Sequence, residues 1–491
     1  MIVLKRLFGD GFRVFFLSAG VFAMLSMIVW ELYLTIHALG GMVELPTAAP
    51  PHLWHAHEMI FGYGAAALGG FFLTAVPNWT GAKSAPHRFI AIVAGLWLAG
   101  RLAVWSSGSL PPGLVAIADL AFIPVLILKI LIQLIKRPKP QQLIFVVMLS
   151  LFWISNLMVH LEWLGWTSDT VWSGLRAGLL TLSAMIMVLG GRVTPGFTRN
   201  AMVQSGRETH LPRNPMPLAA VAIAAAISQP VGYLIGAPLW IIGPLALVAG
   251  MAGLVRVALW RGLWARGKPI LWTLHLSYAV NAIGFIALGL ANLDRGSEVA
   301  ALHLLGIGGV GGMTLSVMSR AVLGHTGRAL IAPEPVALAY ALVPLAALAR
   351  FAGSEFPTLY TPAVLTAGAL WCLAFALFVT AMWPVFWGPR QSRAGMEPPR
   401  HESPPLSDPD RRRAGPIAGP GRNRHHLGGA GPWCRADPAS GRGRSAPGAN
   451  DLCPRCRRNR TDRIPCLALP RFGPDPAEPG RPPCLAFARS S

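Results

Sequence analysis

Long apolar runs, most close to twenty residues, alternate with short polar segments over residues 14–386. A helix needs about 20 apolar residues to cross the hydrocarbon core of a bilayer. Twelve runs meet that length, near 14–38, 56–76, 88–106, 113–135, 142–164, 171–192, 216–235, 238–260, 269–292, 299–321, 334–352 and 361–386. The first is too long for a signal h-region and no small-residue cleavage site follows it, so it reads as a retained span. The pattern predicts an all-α membrane protein of about twelve transmembrane helices.

Charge in the connecting segments gives the orientation. Lys5, Arg6 and Arg13 precede the first run, and Lys83 and Arg88 lie between the second and third. Lys136, Arg137 and Lys139 follow the fourth, Arg199, Arg207 and Arg213 the sixth, Arg261, Arg266 and Lys268 the eighth, and Arg328 the tenth. The alternate loops hold almost no Lys or Arg beyond Arg295 and Arg350. Cytoplasmic loops collect Lys and Arg, so both termini are expected in the cytoplasm.

Composition agrees and divides the chain. Of 491 residues, 53% are hydrophobic and 13% charged, yet the net charge is +21. So low a charged fraction excludes a basic nucleic-acid binder and leaves the lipid bilayer as the expected partner. Seventeen Trp fit membrane interfaces. Residues 1–390 hold 24 Lys+Arg and 12 acids, whereas residues 391–491 hold 18 Arg, no Lys and 9 acids. The second segment also holds 18 Pro and 12 Gly, a composition of disorder. The expected organisation is a membrane domain over 1–390 and a disordered Pro/Gly/Arg-rich tail over 391–491. The tail's all-Arg bias is that of a GC-rich frame translated out of register. Its Cys453-Pro-Arg-Cys456 has metal spacing, but one such pair without a second is a weak signal.

The histidines carry the candidate chemistry. His37, His52, His55, His57, His160 and His303 come out near the outer face, His275 near the inner face, and His87, His210 and His325 at or beyond it. Imidazole is costly in lipid and marks ligand or proton sites there. Histidines from four spans at one depth point to a metal or haem cluster. In Trp54-His55-Ala56-His57-Glu58 the two imidazoles sit at i and i+2, about 200° apart on a helix, and cannot share one partner. Glycines follow His57 (Gly62, Gly64, Gly69, Gly70) and His303 (Gly306, Gly308, Gly309, Gly311, Gly312). They make room either for a flat macrocycle or for close helix packing. Gly306-Ile-Gly308-Gly-Val-Gly311 fits G-x-G-x-x-G, but no strand precedes it, so a dinucleotide site is rejected. Arg101, Asp119 and Arg176 share the outer layer. They pair with each other, or Arg101 and Arg176 meet haem propionates. Three spans end alike, at Ala75–Thr80, Val193–Thr198 and Ala321–Thr326, which suggests three four-helix units.

The chain resembles the NnrS family of bacterial membrane proteins over about residues 10–390. The resemblance rests on WHAHEMIFGYGAAALGGFFLTAVPNWTG from Trp54, LTLSAMIMVLGGRVTPGFTRN from Leu180, WTLHLSYAVNAIG from Trp272 and HLLGIGGVGGMTLSVMSRAVLGHTGR from His303. It implies a haem- and copper-containing protein linked to nitric oxide metabolism, denitrification and resistance to nitrosative stress. Nitric oxide or an iron-nitrosyl species is the implied ligand. The matching histidines are His55, His57, His160, His275, His303 and His325. For haem b, His57 and His303 are the expected axial ligands, with His55 and His160 as alternatives or copper ligands.

Two other readings remain. Haem-copper oxidases also have twelve spans and outer-side ligands on spans two and ten. Here, however, spans six to eight lack histidine and Leu305 stands where a second span-ten ligand would be. A cofactor-free transporter would use broken helices, for which Pro124, Pro195 and Pro344 offer sites, but the polar residues crowd one face rather than the midplane.

Overall fold

The computed structural model describes residues 2–391. The tail from residue 392, with its Cys453 and Cys456, lies outside the described residues. Twelve helices are long and apolar enough to cross a membrane: Gly11–Ala38, Pro51–Thr80, His87–Trp105, Pro112–Lys136, Pro140–Trp163, Thr170–Gln204, Met216–Leu234, Leu239–Leu259, Pro269–Ala291, Glu298–His325, Glu334–Glu355 and Pro357–Trp387. They are called spans one to twelve. No strand occurs among the described residues.

Sequential spans pack on one another, and span twelve returns to pack on span one. Spans two, six and ten sit inside, each touching the other two. Their most apolar windows are 72%, 78% and 72% buried, against 39–56% for the other nine. These are the spans whose ends look alike in sequence, and the likeness extends to local bonding. Thr80, Thr198 and Thr326 are buried, and each hydroxyl donates to the carbonyl four residues back, Val76, Thr194 and Val322, at 2.8, 2.9 and 2.7 Å. Without bulk water, a hydroxyl at a span end is satisfied by its own helix.

Span six outruns its apolar stretch, which ends at 192. The helix continues to Gln204 because Thr194, Thr198 and Met202 still face the interior. The three prolines act differently. Spans six and eleven pass through Pro195 and Pro344. Only span four breaks, between Pro112–Leu120 and Phe122–Lys136. Pro124 there cannot donate to the Leu120 carbonyl and its ring crowds it. The indole of Trp153 donates to that carbonyl instead, at 3.0 Å.

Spans two and ten share another irregularity. Each widens into π-helical turns just after a histidine, Glu58–Gly64 after His57 and Leu304–Gly311 after His303. Such turns free a carbonyl and are common at functional sites. In span two, Trp97 donates to the Gly62 carbonyl at 2.9 Å. Tyr63 and Thr314 then join the two spans through their hydroxyls.

Close packing accounts for most of the glycines. A Cβ at Gly62, Gly64, Gly69, Gly70, Gly308, Gly309, Gly311 or Gly312 would lie 2.3–2.9 Å from a side chain of another span. Gly306 is the exception: its nearest neighbour would be Leu179 Cδ1, an ordinary 3.7 Å away. Gly311→Ala, whose Cβ would meet the Trp371 ring at 2.4 Å, is expected to lose about 1–3 kcal/mol of stability through overpacking. Gly306→Ala should stay within about 0.5 kcal/mol of the parent. Thermal unfolding of both variants in detergent checks the contrast.

Candidate functional site

The helix of span two begins at Pro51, so His55 and His57 are both helical and diverge. His57 turns inward, fully buried, toward spans four and five. His55 turns toward span one and stacks on Trp30, with centroids 4.7 Å apart and planes at 15°.

Five polar side chains meet around His57. Asp119 stands at the break in span four, so the Pro124 irregularity helps set its position. Asn156 and His160 lie one turn apart on span five and face the same way. Arg101 comes from span three and Glu58 from the first wide turn of span two. Arg101 bonds both carboxylates, Glu58 through Nη1 at 2.6 Å and Asp119 through Nη2. Asn156 Nδ2 donates to Asp119 Oδ2 at 2.7 Å, and His160 Nε2 donates to the same oxygen at 2.8 Å.

His57 is the unusual member. Its Nδ1 donates to Glu58 Oε1 at 3.0 Å. Its Nε2 faces Asn156 Oδ1 at 2.9 Å and Asp119 Oδ2 at 3.3 Å. The Asn156 amide cannot flip to help, because its nitrogen already serves Asp119. Acceptors therefore surround both ring nitrogens, and a neutral imidazole has only one proton to offer. The charges agree. With neutral imidazoles, one guanidinium faces two carboxylates, leaving one buried negative charge. A cation between His57 Nε2 and Asp119, or a second proton on His57, balances it.

His57, Asp119 and His160 are also a ligand set, for one donor atom from each lies within 4.8 Å of the others. Two imidazoles and a carboxylate suit copper, zinc or iron. Glu58 on His57 Nδ1 is the carboxylate that orients a ligating imidazole and sharpens its basicity. A cleft of about 280 Å³, bounded by Ala48, Pro50, Ser107, Pro112, Trp163 and His160, reaches the group.

The other expected site residues lie elsewhere. His303 is not in the group; its Nδ1 donates to the Val299 carbonyl at 2.7 Å. His275 is buried on span nine, where its Nε2 meets the Thr198 hydroxyl at 2.8 Å. His325 is exposed and stacks on Phe12 at 5.5 Å. Of the two arginines expected to pair or to meet propionates, Arg101 bonds Asp119 as the pairing reading has it. Arg176 finds a different acid, Glu298 of span ten, held at 2.6 and 2.8 Å. Asp119 was expected to pair with an arginine of its layer, whereas Glu58 was visible only as a polar residue beside His57. The convergence of both on one arginine had no sequence signal.

A family model described as NnrS protein matches residues 6–390. No curated protein matches the chain.

Removing one partner of a buried ion pair strands the other charge, at about 3–5 kcal/mol. Arg101→Gln, which strands two carboxylates, is expected at or above that range. The exposed Arg199→Gln should lie within about 0.5 kcal/mol of the parent. Thermal unfolding in detergent reads the difference, and equal unfolding temperatures for the two variants would contradict it.

Proposed function

The chain belongs to the NnrS family, and from that premise we propose a haem- and copper-containing protein of a bacterial inner membrane. Family membership makes it a nitric-oxide-related membrane protein. The reading proposed here is narrower: haem b and copper near the outer face, both termini in the cytoplasm, and a role in nitric oxide metabolism and protection from nitrosative stress. The proposed membrane domain is residues 1–390.

One observation carries the metal reading. His57 Nε2 points at two oxygen acceptors inside a buried group with one negative charge in excess. Such a pocket is built for a cation, and its two nitrogens and one oxygen match copper. His57, His160 and Asp119 are the proposed copper ligands. Glu58 fixes the His57 ring, and Arg101 limits the negative charge so that the empty pocket remains stable. When bound, copper supplies a Lewis-acidic, redox-active centre beside an outer-facing cleft. Nitric oxide is small and apolar enough to arrive through the bilayer as well.

The test is the metal content of the purified full chain. The wild-type protein should hold copper, and His57→Ala, His160→Ala and Asp119→Asn should each lose it while keeping their helical circular dichroism. Full copper occupancy in all three variants would overturn the ligand set. A wild-type protein free of metal after growth in copper would favour a doubly protonated His57 instead.

A further inference from the structure

The copper pocket lies at one end of the bundle. At the other end, spans one, ten and twelve bring two arginines to a single turn of chain. Arg13, near the start of span one, is 4% exposed. Its Nη1 donates to the carbonyls of Val385, Phe386 and Gly388 at 3.2, 2.7 and 3.0 Å, and its Nε donates to Asp10 Oδ2 at 3.2 Å. The last carbonyls of a helix lack amide donors of their own. Arg13 therefore caps span twelve, and its bonds are accounted for.

Arg328 is not accounted for in this way. It follows span ten, and its guanidinium reaches the same turn, for a Cβ on Gly388 would lie 3.3 Å from Arg328 Nη2. A backbone bond closes this corner, from the Gln391 amide to the Thr326 carbonyl at 2.8 Å. Among the described residues Arg328 takes part in no salt bridge, and its Nη1 is buried without a hydrogen-bond partner. The indole Nε1 of Trp387, the residue before Gly388, is buried and without a partner likewise. Asp10 is already engaged by Arg13.

Like charges at one turn of chain repel, and a buried donor without an acceptor is costly. An anion relieves both. Burial, and then the charge of Arg13, hold the Arg328 guanidinium below the usual arginine range, a direction that an incoming anion reverses. Two donors from different elements suit an anion with several acceptor oxygens. The position narrows the choice further. These helix ends lie at the level of the lipid headgroups, where phospholipid phosphate is the abundant anion. Trp383, 49% exposed, packs on Trp387 with centroids 5.5 Å apart and offers apolar surface to the glycerol and upper acyl chain. Arg328 and Trp387 each keep part of their surface exposed, so the site opens at the surface of the bundle.

We propose that Arg328 and the Trp387 indole bind a phosphate oxyanion at the ends of spans one, ten and twelve, and that this phosphate is the headgroup of an anionic phospholipid. Arg328 supplies charge and a fork of donors. Trp387 supplies a neutral N–H. Arg13 adds its charge while it holds span twelve in place. The site is independent of the copper pocket and of the haem reading.

Native mass spectrometry of the delipidated full chain in detergent, titrated with phosphatidylglycerol, tests this. The wild type should hold one phosphatidylglycerol in preference to phosphatidylcholine. Arg328→Gln should weaken that binding about tenfold or more, the scale of one lost charge-assisted hydrogen bond, with Arg328→Lys intermediate. Trp387→Phe keeps a ring and loses the N–H, and it should weaken binding by a smaller factor. It also carries the test should Arg328→Gln fail to fold. The exposed Arg199→Gln, which removes an equal charge from a loop at the same end, should bind as the wild type does. Equal binding by Arg328→Gln and Arg199→Gln, or no loss in Trp387→Phe, overturns the site. Thermal stabilisation by inorganic phosphate but not by phosphatidylglycerol overturns the lipid and leaves a free phosphate as the ligand.

Discussion

The polar group that joins spans two, three, four and five depends on the charge balance around Arg101. In a water-poor layer no charge can stand alone, so each group there is held by its need for the others. Arg101 draws Glu58 and Asp119 together. Those carboxylates orient His57, His160 and Asn156. Spans two, three, four and five are thereby tied at one depth through polar atoms rather than through apolar packing, which discriminates weakly among helices in lipid. The balance stops one charge short of neutral, and the proposed copper site rests on that deficit.

Backbone irregularity is what lets the knot form. A regular span four would have no break beside Asp119, and a regular span two would aim Glu58 and Gly62 differently. The break in span four takes the usual donor from the Leu120 carbonyl, and Trp153 supplies another; Trp97 adds a second donor to the Gly62 carbonyl, which also accepts from the Ala65 amide. These indoles are not interface anchors, although the abundance of Trp first suggested that role. They are buried or half-buried donors that permit bent helices where the chemistry sits.

The legible and illegible parts of the sequence differ by direction in space. Hydropathy and loop charge report position along the membrane normal, and hydropathy located the twelve spans. The i, i+2 spacing reported azimuth on a single helix, and His55 and His57 do diverge. The three matching span ends marked spans two, six and ten, which are the interior helices. What hydropathy cannot report is which helices are lateral neighbours. Depth alone could not pair His57 with His160 rather than His303, or give Arg176 to Glu298 rather than Asp119. Arg350 was read as a loop charge because it lies near the end of an apolar run. Its helix continues to Glu355 and encloses it.

Span two acquires a particular position from this geometry. Its first two turns carry His55 on one side and His57 on the other, with a single residue between them. The wide turn that begins at Glu58 follows at once. A rotation of this helix start that moves His57 toward Asp119 must also move His55 relative to Trp30. The neighbouring helices cannot absorb such a rotation freely, because a Cβ-sized gap is missing at Gly62 and Gly64. The two imidazoles therefore share one rigid piece of backbone. This is the physical advantage of placing two histidines at a spacing that forbids them a common partner.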